Sequence, residues 1–468
     1  MKLKPYPEYK DSGVLWLGKI PAHWNIMPLK HWVFINQSVL NENTDPDFRF
    51  NYIDIGAVST GKLVSQPRIE RFADSPSRAR RVIKAGDTLL STVRTYLKAV
   101  YHCKYINKYT VASTGFAVLT PKNNTDPGYV GYVGQSELFI NQIVARSIGV
   151  AYPAISETEL GRCLVWFPTL KEQTQIANFL DWKTTQINKF IRNKQRLIEL
   201  LKEQKQNIIN QAVTRGLDPN VKLKPSGVEL IGDIPEHWKT ARLFQVSKVV
   251  DPHPSHRNPP LCLDGIPFLG VGDLDIDGNV VRAGYSVAED IFCEQNRRFQ
   301  IEDGDLAIGR VASVGKIVRL KPIEICLSGR LAVIKPFTVM FSTFLFYSLQ
   351  VAYITDQILT GTDLTTLGVL GLNKLKRLVL IIPPKYEQKA ITDFINTSVE
   401  PIDEAITRAE REIELMREYR TRLISDVVTG QVDVRDIEVP EVVEEELFDM
   451  EEDPSEVMDD ELEAGEEE

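Results

Sequence analysis

The sequence predicts an α+β fold in which two mixed α/β domains alternate with two long helices that pair as an antiparallel coiled coil, the whole forming a pseudo-twofold internal repeat. Three observations lead there. The segment Ser12-Gly-Val-Leu-Trp-Leu-Gly-Lys-Ile-Pro-Ala-His-Trp24 recurs 214 positions later as Ser226-Gly-Val-Glu-Leu-Ile-Gly-Asp-Ile-Pro-Glu-His-Trp238, with 8 of 13 residues identical. Glu172-Gln173 recurs 215 positions later as Glu387-Gln388, and a helical apolar seam follows each pair. Between these anchors the resemblance thins to fragments such as Ala117-Val-Leu-Thr-Pro121 against Ala332-Val-Ile-Lys-Pro336, so a shared frame holds different fillings.

The two globular stretches, about 26–167 and 240–382, carry short β-rich runs bounded by Gly, Pro and Asp-Gly turns. Examples are 52–55, 88–93, 115–119, 266–269 and 378–382. Helical patterns at Tyr129–Ala145 and Ser342–Leu359 lie among them. In the first seam Ile187, Lys194, Leu201 and Ile208 interleave with Ile191, Ile198 and Ala212. In the second, Ile402, Ala409, Met416 and Leu423 interleave with Ile406, Ile413 and Val427. A narrow stripe with charged flanks buries itself best against another such stripe, so Ile187, Ile191, Ile198, Leu201, Ile208, Ile402, Ile406, Ile413, Met416 and Leu423 are expected to pair the helices. Pro401 reads as a first helical residue, and Gly216 and Gly430 stand just past the far ends. Each helix is then about 30 residues, or roughly 45 Å, with the globular portions at opposite ends of a dumbbell. The expected divisions are 1–170, 171–216, 217–384, 385–435 and an acidic, disordered tail at 436–468.

The 468 residues are 43 % apolar and 25 % charged, a balance that excludes a fibre or a wholly disordered chain. The net charge of −9 divides unevenly. The last 33 residues hold 18 acids and no Lys or Arg, leaving 55 basic against 46 acidic groups before Asp436. The body is therefore mildly basic and permits an anionic partner, whereas the tail reads as a solvated appendage or as a mimic of DNA charge. Five cysteines without a Cys-x-x-Cys pair suit a reducing, cytoplasmic setting, and neither a secretion signal nor a membrane span is expected.

Basic residues cluster. Arg68–Lys108 contains ten Lys or Arg and three acids, and Arg297–Lys335 contains eight and four, with hydroxyl and aromatic residues interleaved. Lys and Arg neutralise phosphates, while Arg forks and hydroxyls reach base edges, so both windows are candidates for nucleic-acid contact.

Several apparent enzyme motifs fail on their details. Asn258-Pro-Pro-Leu261 and Phe268-Leu-Gly-Val-Gly272 imitate two methyltransferase elements, but the aromatic is missing and too few residues separate them for a nucleotide domain. Gly309 to Gly315-Lys316-Ile317 has one residue too many for a phosphate loop and lacks its Ser or Thr. His253-Pro-Ser-His256 lacks a third metal ligand, so a loop is expected and no metal. His23 and His237, without an identifiable acid partner, are expected to pack structurally against the helix ends.

The paired Ser-Gly-Val-x-x-x-Gly-x-Ile-Pro-x-His-Trp segments resemble the specificity subunit of Type I restriction-modification systems over about residues 2–435. So do the Pro-x-x-x-Glu-Gln-x-x-Ile segments at Glu172 and Glu387, and Thr214-Arg-Gly216 with Thr429-Gly430. The resemblance implies a non-catalytic subunit with two target-recognition domains, each reading one half of a split, asymmetric site in double-stranded DNA. It further implies helices that act as a fixed spacer and dock two methyltransferase subunits, to which motor-nuclease subunits attach. AdoMet, ATP and Mg would belong to those partners, with no cofactor in this chain. The acidic tail departs from the pattern. In the first domain Arg78, Arg80, Arg81, Arg94, Thr95, Tyr96 and Lys98 are the expected DNA contacts, and in the second Arg310, Ser313, Lys316 and Arg330. A coiled-coil adaptor that never touches DNA is the alternative, although it leaves the basic windows unexplained.

Overall fold

A computed structural model describes residues 3–150, 152–253, 259–360 and 369–440. His256, Asn258 and most of the acidic tail, from Glu441 onward, lie outside the described residues. The chain divides into two compact units, unit 1 comprising 1–195 with 410–468 and unit 2 comprising 196–409.

Each unit holds the same antiparallel four-stranded sheet. In unit 1 its order is Val100–His102, Thr88–Ser91, Phe116–Pro121 and Val33–Ile35; in unit 2 it is Ile317–Arg319, Leu306–Gly309, Leu331–Pro336 and Ser247–Val250. Both central strands are buried on both faces, which is why they show no alternation of apolar and polar residues. Beside this sheet the units diverge. Unit 1 adds a four-stranded sheet ordered Arg68–Arg71, Arg49–Ile53, Thr110–Ser113 and Ala79–Ile83. Unit 2 has three strands, Ser286–Val287, Ile266–Leu269 and Cys326–Leu327, and carries a helix at Glu289–Arg298.

The two helical patterns inside the globular stretches are each broken in the middle. Pro127–Gln135 ends at Ser136, whose extended backbone restarts the chain as Glu137–Arg146; Ser342–Ser348 and Ala352–Leu359 are separated in the same way at Val351. One amphipathic stripe can run through both pieces, so periodicity alone does not mark the break.

The long helices exceed the expected 30 residues. They run Leu170–Arg215, 46 residues, and Lys385–Val428, 44 residues, with Pro401 inside the second. The helices begin after Pro168 and the Pro383-Pro384 pair, where a missing N–H costs nothing. An interior proline costs about 3 kcal/mol, which burial of Ile395, Val399 and Ile402 beside it can offset at roughly 1.5–3 kcal/mol per side chain. The far ends match expectation. Gly216 and Gly430 adopt φ of +77° and +75°, and a Cβ would press against Trp238 at the first and against Pro21 and then Trp24 at the second.

The repeated motifs meet within each unit. In unit 1 the buried Glu172 carboxylate accepts from Tyr6 (2.8 Å), Trp24 Nε1 (3.0 Å) and His23 Nε2 (2.7 Å). Burial and the Glu172 charge push the Tyr6 phenol far above its ordinary range. In unit 2 Glu387 accepts from Trp238 Nε1 and His237 Nε2, both at 2.8 Å. Burial pushes the Glu387 carboxyl up, but the bonds from Trp238, His237 and Tyr386 outweigh it and hold the group below the usual range. The histidines therefore do pack at the helix starts, yet each has an acid partner, 149 or 150 residues away in sequence, that local reading does not find. The neighbouring glutamines complete the clamp. Gln173 accepts from Asp126 N and donates to Pro168 O, and Gln388 accepts from Phe341 N and donates to Pro383 O, tying each long helix to the helix pair of its own unit.

All ten expected helix-pairing residues are buried or half-buried. Within unit 1 Arg420 donates to Asn188 Oδ1 at 2.7 Å and Lys194 lies 2.5 Å from Glu412; within unit 2 Lys205 reaches Asp403 at 2.6 Å.

Candidate nucleic-acid interface

In unit 1 the turn following Thr88–Ser91 carries four of the expected residues. Arg94 and Lys98 have left-handed backbones, φ +48° and +53°, on either side of a single 3-10 turn at Thr95–Leu97. Left-handed non-glycine residues cost on the order of 1–2 kcal/mol each, so the surrounding structure must hold them. It does so through Thr95, which is buried with Oγ1 2.8 Å from Ser147 Oγ, and through Thr92, whose hydroxyl donates to Gly115 O. Ile155 N also donates to Thr92 O, and Val93 pairs with Ala154. Thr95 is thus a brace, while Arg94, Tyr96, Leu97 and Lys98 face solvent. The Arg94 guanidinium lies 4.9 Å from the centroid of the Tyr152 ring, and Lys98 is 4.0 Å from Glu137.

The other basic stretch of unit 1 lies on and beside the strand Ala79–Ile83. Arg78 is exposed and donates to Asp54 Oδ2 at 3.0 Å; its pKa is raised by hydrogen bonding with Tyr52 and by the Asp54 charge. Arg80 bonds Ala79 O and lies over the Phe72 ring, and Arg81 is half-buried, its Nε having no hydrogen-bond partner among the described residues. Thr114 N donates to Arg78 O and Thr92 N to Gly115 O, so one tight turn connects the two basic stretches.

Unit 2 builds the matching turn from different residues. Ala312 takes the left-handed place at φ +62°, followed by half-buried Ser313 and exposed Lys316, whose Nζ bonds Leu274 O. Arg310 is turned inward: it is 7 % exposed, donates from Nε to Leu370 O, and meets Asp251 at 3.4 Å. Its side chain holds the turn and is not presented to solvent. Arg330 is exposed, and its backbone accepts from Arg310 N and Val311 N. The structure therefore brings Arg94, Tyr96 and Lys98 together in unit 1 and sets Ser313, Lys316 and Arg330 around one turn in unit 2, with Thr95 and Arg310 beneath.

Sequence reasoning passed over the exposed loop in which Val150 and Tyr152 lie between Gly149 and Pro153, with exposed Ile148 just before them. Apolar residues between two loop-forming residues were the available signal. No group of three or more His, Cys, Asp or Glu among the described residues is placed to hold a metal ion, and no described helix is long and apolar enough to cross a membrane.

Residues 235–415 match the family described as Type I restriction modification DNA specificity domain. The resemblance read from the sequence holds. The chain is 22 % identical over 469 aligned positions to the Type I restriction enzyme MjaIX specificity subunit of Methanocaldococcus jannaschii, covering 93 % of this chain and 99 % of that one. A chain from a solved structure concerned with complex assembly and conformational transition of the type I R-M system is similar in fold, with a TM-score of 0.66 at 20 % identity. That alignment covers 88 % of this chain and 99 % of the other. The similarity to specificity subunits thus spans both units and both long helices.

Proposed function

We propose that this chain is the non-catalytic DNA-reading subunit of a Type I restriction-modification complex, each unit reading one half of a bipartite, asymmetric site in double-stranded DNA. One observation carries the reading: in both units the turn after the matching strand of the four-stranded sheet opens on a left-handed residue, Arg94 in one and Ala312 in the other, but it continues as Arg94-Thr95-Tyr96-Leu97-Lys98 in the first and Ala312-Ser313-Val314-Gly315-Lys316 in the second. A shared frame with unlike side chains is what reading two unlike half-sites requires. Basic side chains position the phosphates, and polar forks and apolar groups distinguish the bases.

The long helices set the half-site spacing in this proposal, pair as an antiparallel coiled coil and dock two methyltransferase subunits, through which motor-nuclease subunits join. The antiparallel sense is supported within unit 1, where the partner of Asn188 is Arg420 and the partner of Lys194 is Glu412, one helix number rising as the other falls.

Methylation-site mapping in cells expressing the chain with its cognate methyltransferase subunit tests the reading. A split motif that appears only when the chain is present is the expected result. A formed complex that yields no chain-dependent motif overturns it.

A further inference from the structure

Five large apolar side chains stand exposed on two adjoining loops of unit 1. Tyr96 and Leu97 sit on the 3-10 turn, and Ile148, Val150 and Tyr152 on the loop bonded to it through Ser147 and Ala154. Val150 is 104 % and Ile148 81 % exposed, so neither side chain is covered by its own fold. Leaving so much apolar surface in water is unfavourable, and clustered exposure of this kind marks a surface that something else covers. Its surroundings say what. Arg94 stacks on Tyr152 and Lys98, 4.0 Å from Glu137, stands at the other end of the 3-10 turn, so the apolar tip is flanked by two exposed cations. The complementary partner is a polyanion with an apolar feature inside its charged rim. Duplex DNA has one such group on its base edges, the 5-methyl of thymine in the major groove.

We propose that the loops bearing Leu97 and Val150 contact thymine methyl groups, so that a T·A pair in the half-site read by unit 1 is recognised by apolar contact and not by hydrogen bonding. The proposal rests on the DNA-reading function above. Arg94 and Lys98 hold the flanking phosphates, and the braced, left-handed turn keeps the tip rigid enough to discriminate a single methyl.

The test uses the assembled complex of this chain with its methyltransferase subunits and duplexes of the mapped motif in which each thymine is replaced in turn by uracil. One replacement is expected to weaken binding about fourfold, the worth of one buried methyl group. Val150→Ser and Leu97→Ser, both at exposed positions that leave the core intact, should bind the thymine and uracil duplexes alike. A motif half without thymine, indifference of the wild-type complex to every replacement, or undiminished discrimination by both variants overturns the contact while leaving the DNA-reading function standing. Variants that no longer assemble with the methyltransferase subunit overturn it in favour of a protein partner. Equal affinity of the complex for scrambled and specific duplexes overturns the DNA reading itself.

Discussion

The two units fill one place in a shared frame in opposite ways. His102 pairs across the sheet with Thr88, and Arg319 with Leu306, at the same register in the two four-stranded sheets. Against His102 lies Gly131, five residues after the Asp126 N–H that Gln173 accepts; against Arg319 lies Phe346, five residues after the Phe341 N–H that Gln388 accepts. In unit 1 the bulk is on the strand: a Cβ on Gly131 would come within 2.7 Å of His102 Cβ, and a cleft of about 370 Å³ lined by His102, Lys104 and Asp181 opens beside it. In unit 2 the bulk is on the helix: buried Phe346 receives the Arg319 guanidinium 3.8 Å from its ring centroid, while Asp277 binds the same cation at 2.6 Å. A frame that tolerates this exchange can vary its lining while its strands and clamps stay put.

The largest effect follows from removing the bulk. Phe346→Ala should cost about 3–5 kcal/mol, through the cavity it leaves and the lost face for Arg319, measured by urea unfolding. Gly131→Phe should be comparably damaging because His102 occupies the space. Joining it with His102→Arg, which copies the unit 2 pair, should recover part of the loss. A double variant no more stable than Gly131→Phe alone would show that the two residues are not exchanged as a unit.

The charge states differ as well. Burial pushes the His102 imidazole down to about 4, so it is neutral in the folded chain at pH 7. Between its ordinary value near 6.5 and about 4 the unfolded chain takes up a proton that the folded chain refuses. Stability conferred by neutral His102 is therefore complete above pH 6.5 and is lost as pH falls through that window, by roughly 3 kcal/mol at its lower end. Hydrogen exchange in the strand Val100–His102 should accelerate from pH 7 to pH 4.5, after correction for intrinsic exchange, and His102→Leu should flatten that dependence. The strand Ile317–Arg319, with no histidine, should not show it.

The helix-start clamps differ in strength. Glu172 is 5 % exposed and holds three donors, whereas Glu387 is 23 % exposed and holds two from the repeated motif. Glu172→Gln leaves one of three donors facing an amide and should cost about 2–3 kcal/mol, read as protection lost around Tyr6–Trp24. Glu387→Gln should cost about 1 kcal/mol around 237–238, since water can replace what is lost. Equal losses would mean that burial does not set the strength of these bonds.

Which parts were legible follows from where the causes lie. The His-Trp segments, the Glu-Gln pairs and the closing glycines were visible because the same residues occur twice, and they are the residues that meet in the clamps. The helix starts were not, because Pro401 carries a strong local signal while the burial that outweighs it, at Ile395, Val399 and Ile402, is tertiary. The turn bearing Arg94 was visible through its charge. The inward course of Arg310 was not, since it depends on Asp251 and Leu370, 59 and 60 residues away. The exposure of Val150 was equally hidden, because an apolar residue in a loop reads the same whether it is covered or not.

Arg94 and Arg310 sharpen the comparison at the proposed DNA-reading turns. Both are arginines close to the matching turns of the two units and both were expected to meet DNA, yet one faces solvent and the other is enclosed. Arg310→Ala should destabilise unit 2 by about 2 kcal/mol, because it removes the cation from Asp251 Oδ2 and the donor from the Leu370 carbonyl, and any loss of DNA affinity should follow from that unfolding. Arg94→Ala should leave the unfolding midpoint within about 0.5 kcal/mol, as surface changes do, and still weaken DNA binding by about 1 kcal/mol. The salt series separates its role. A phosphate contact lowers the slope of log affinity against log salt by about one and weakens all sequences alike, whereas a base contact leaves the slope unchanged and relaxes one position of the motif. If Arg94→Ala lost stability and Arg310→Ala did not, the inward and outward assignments of the two turns would have to be exchanged.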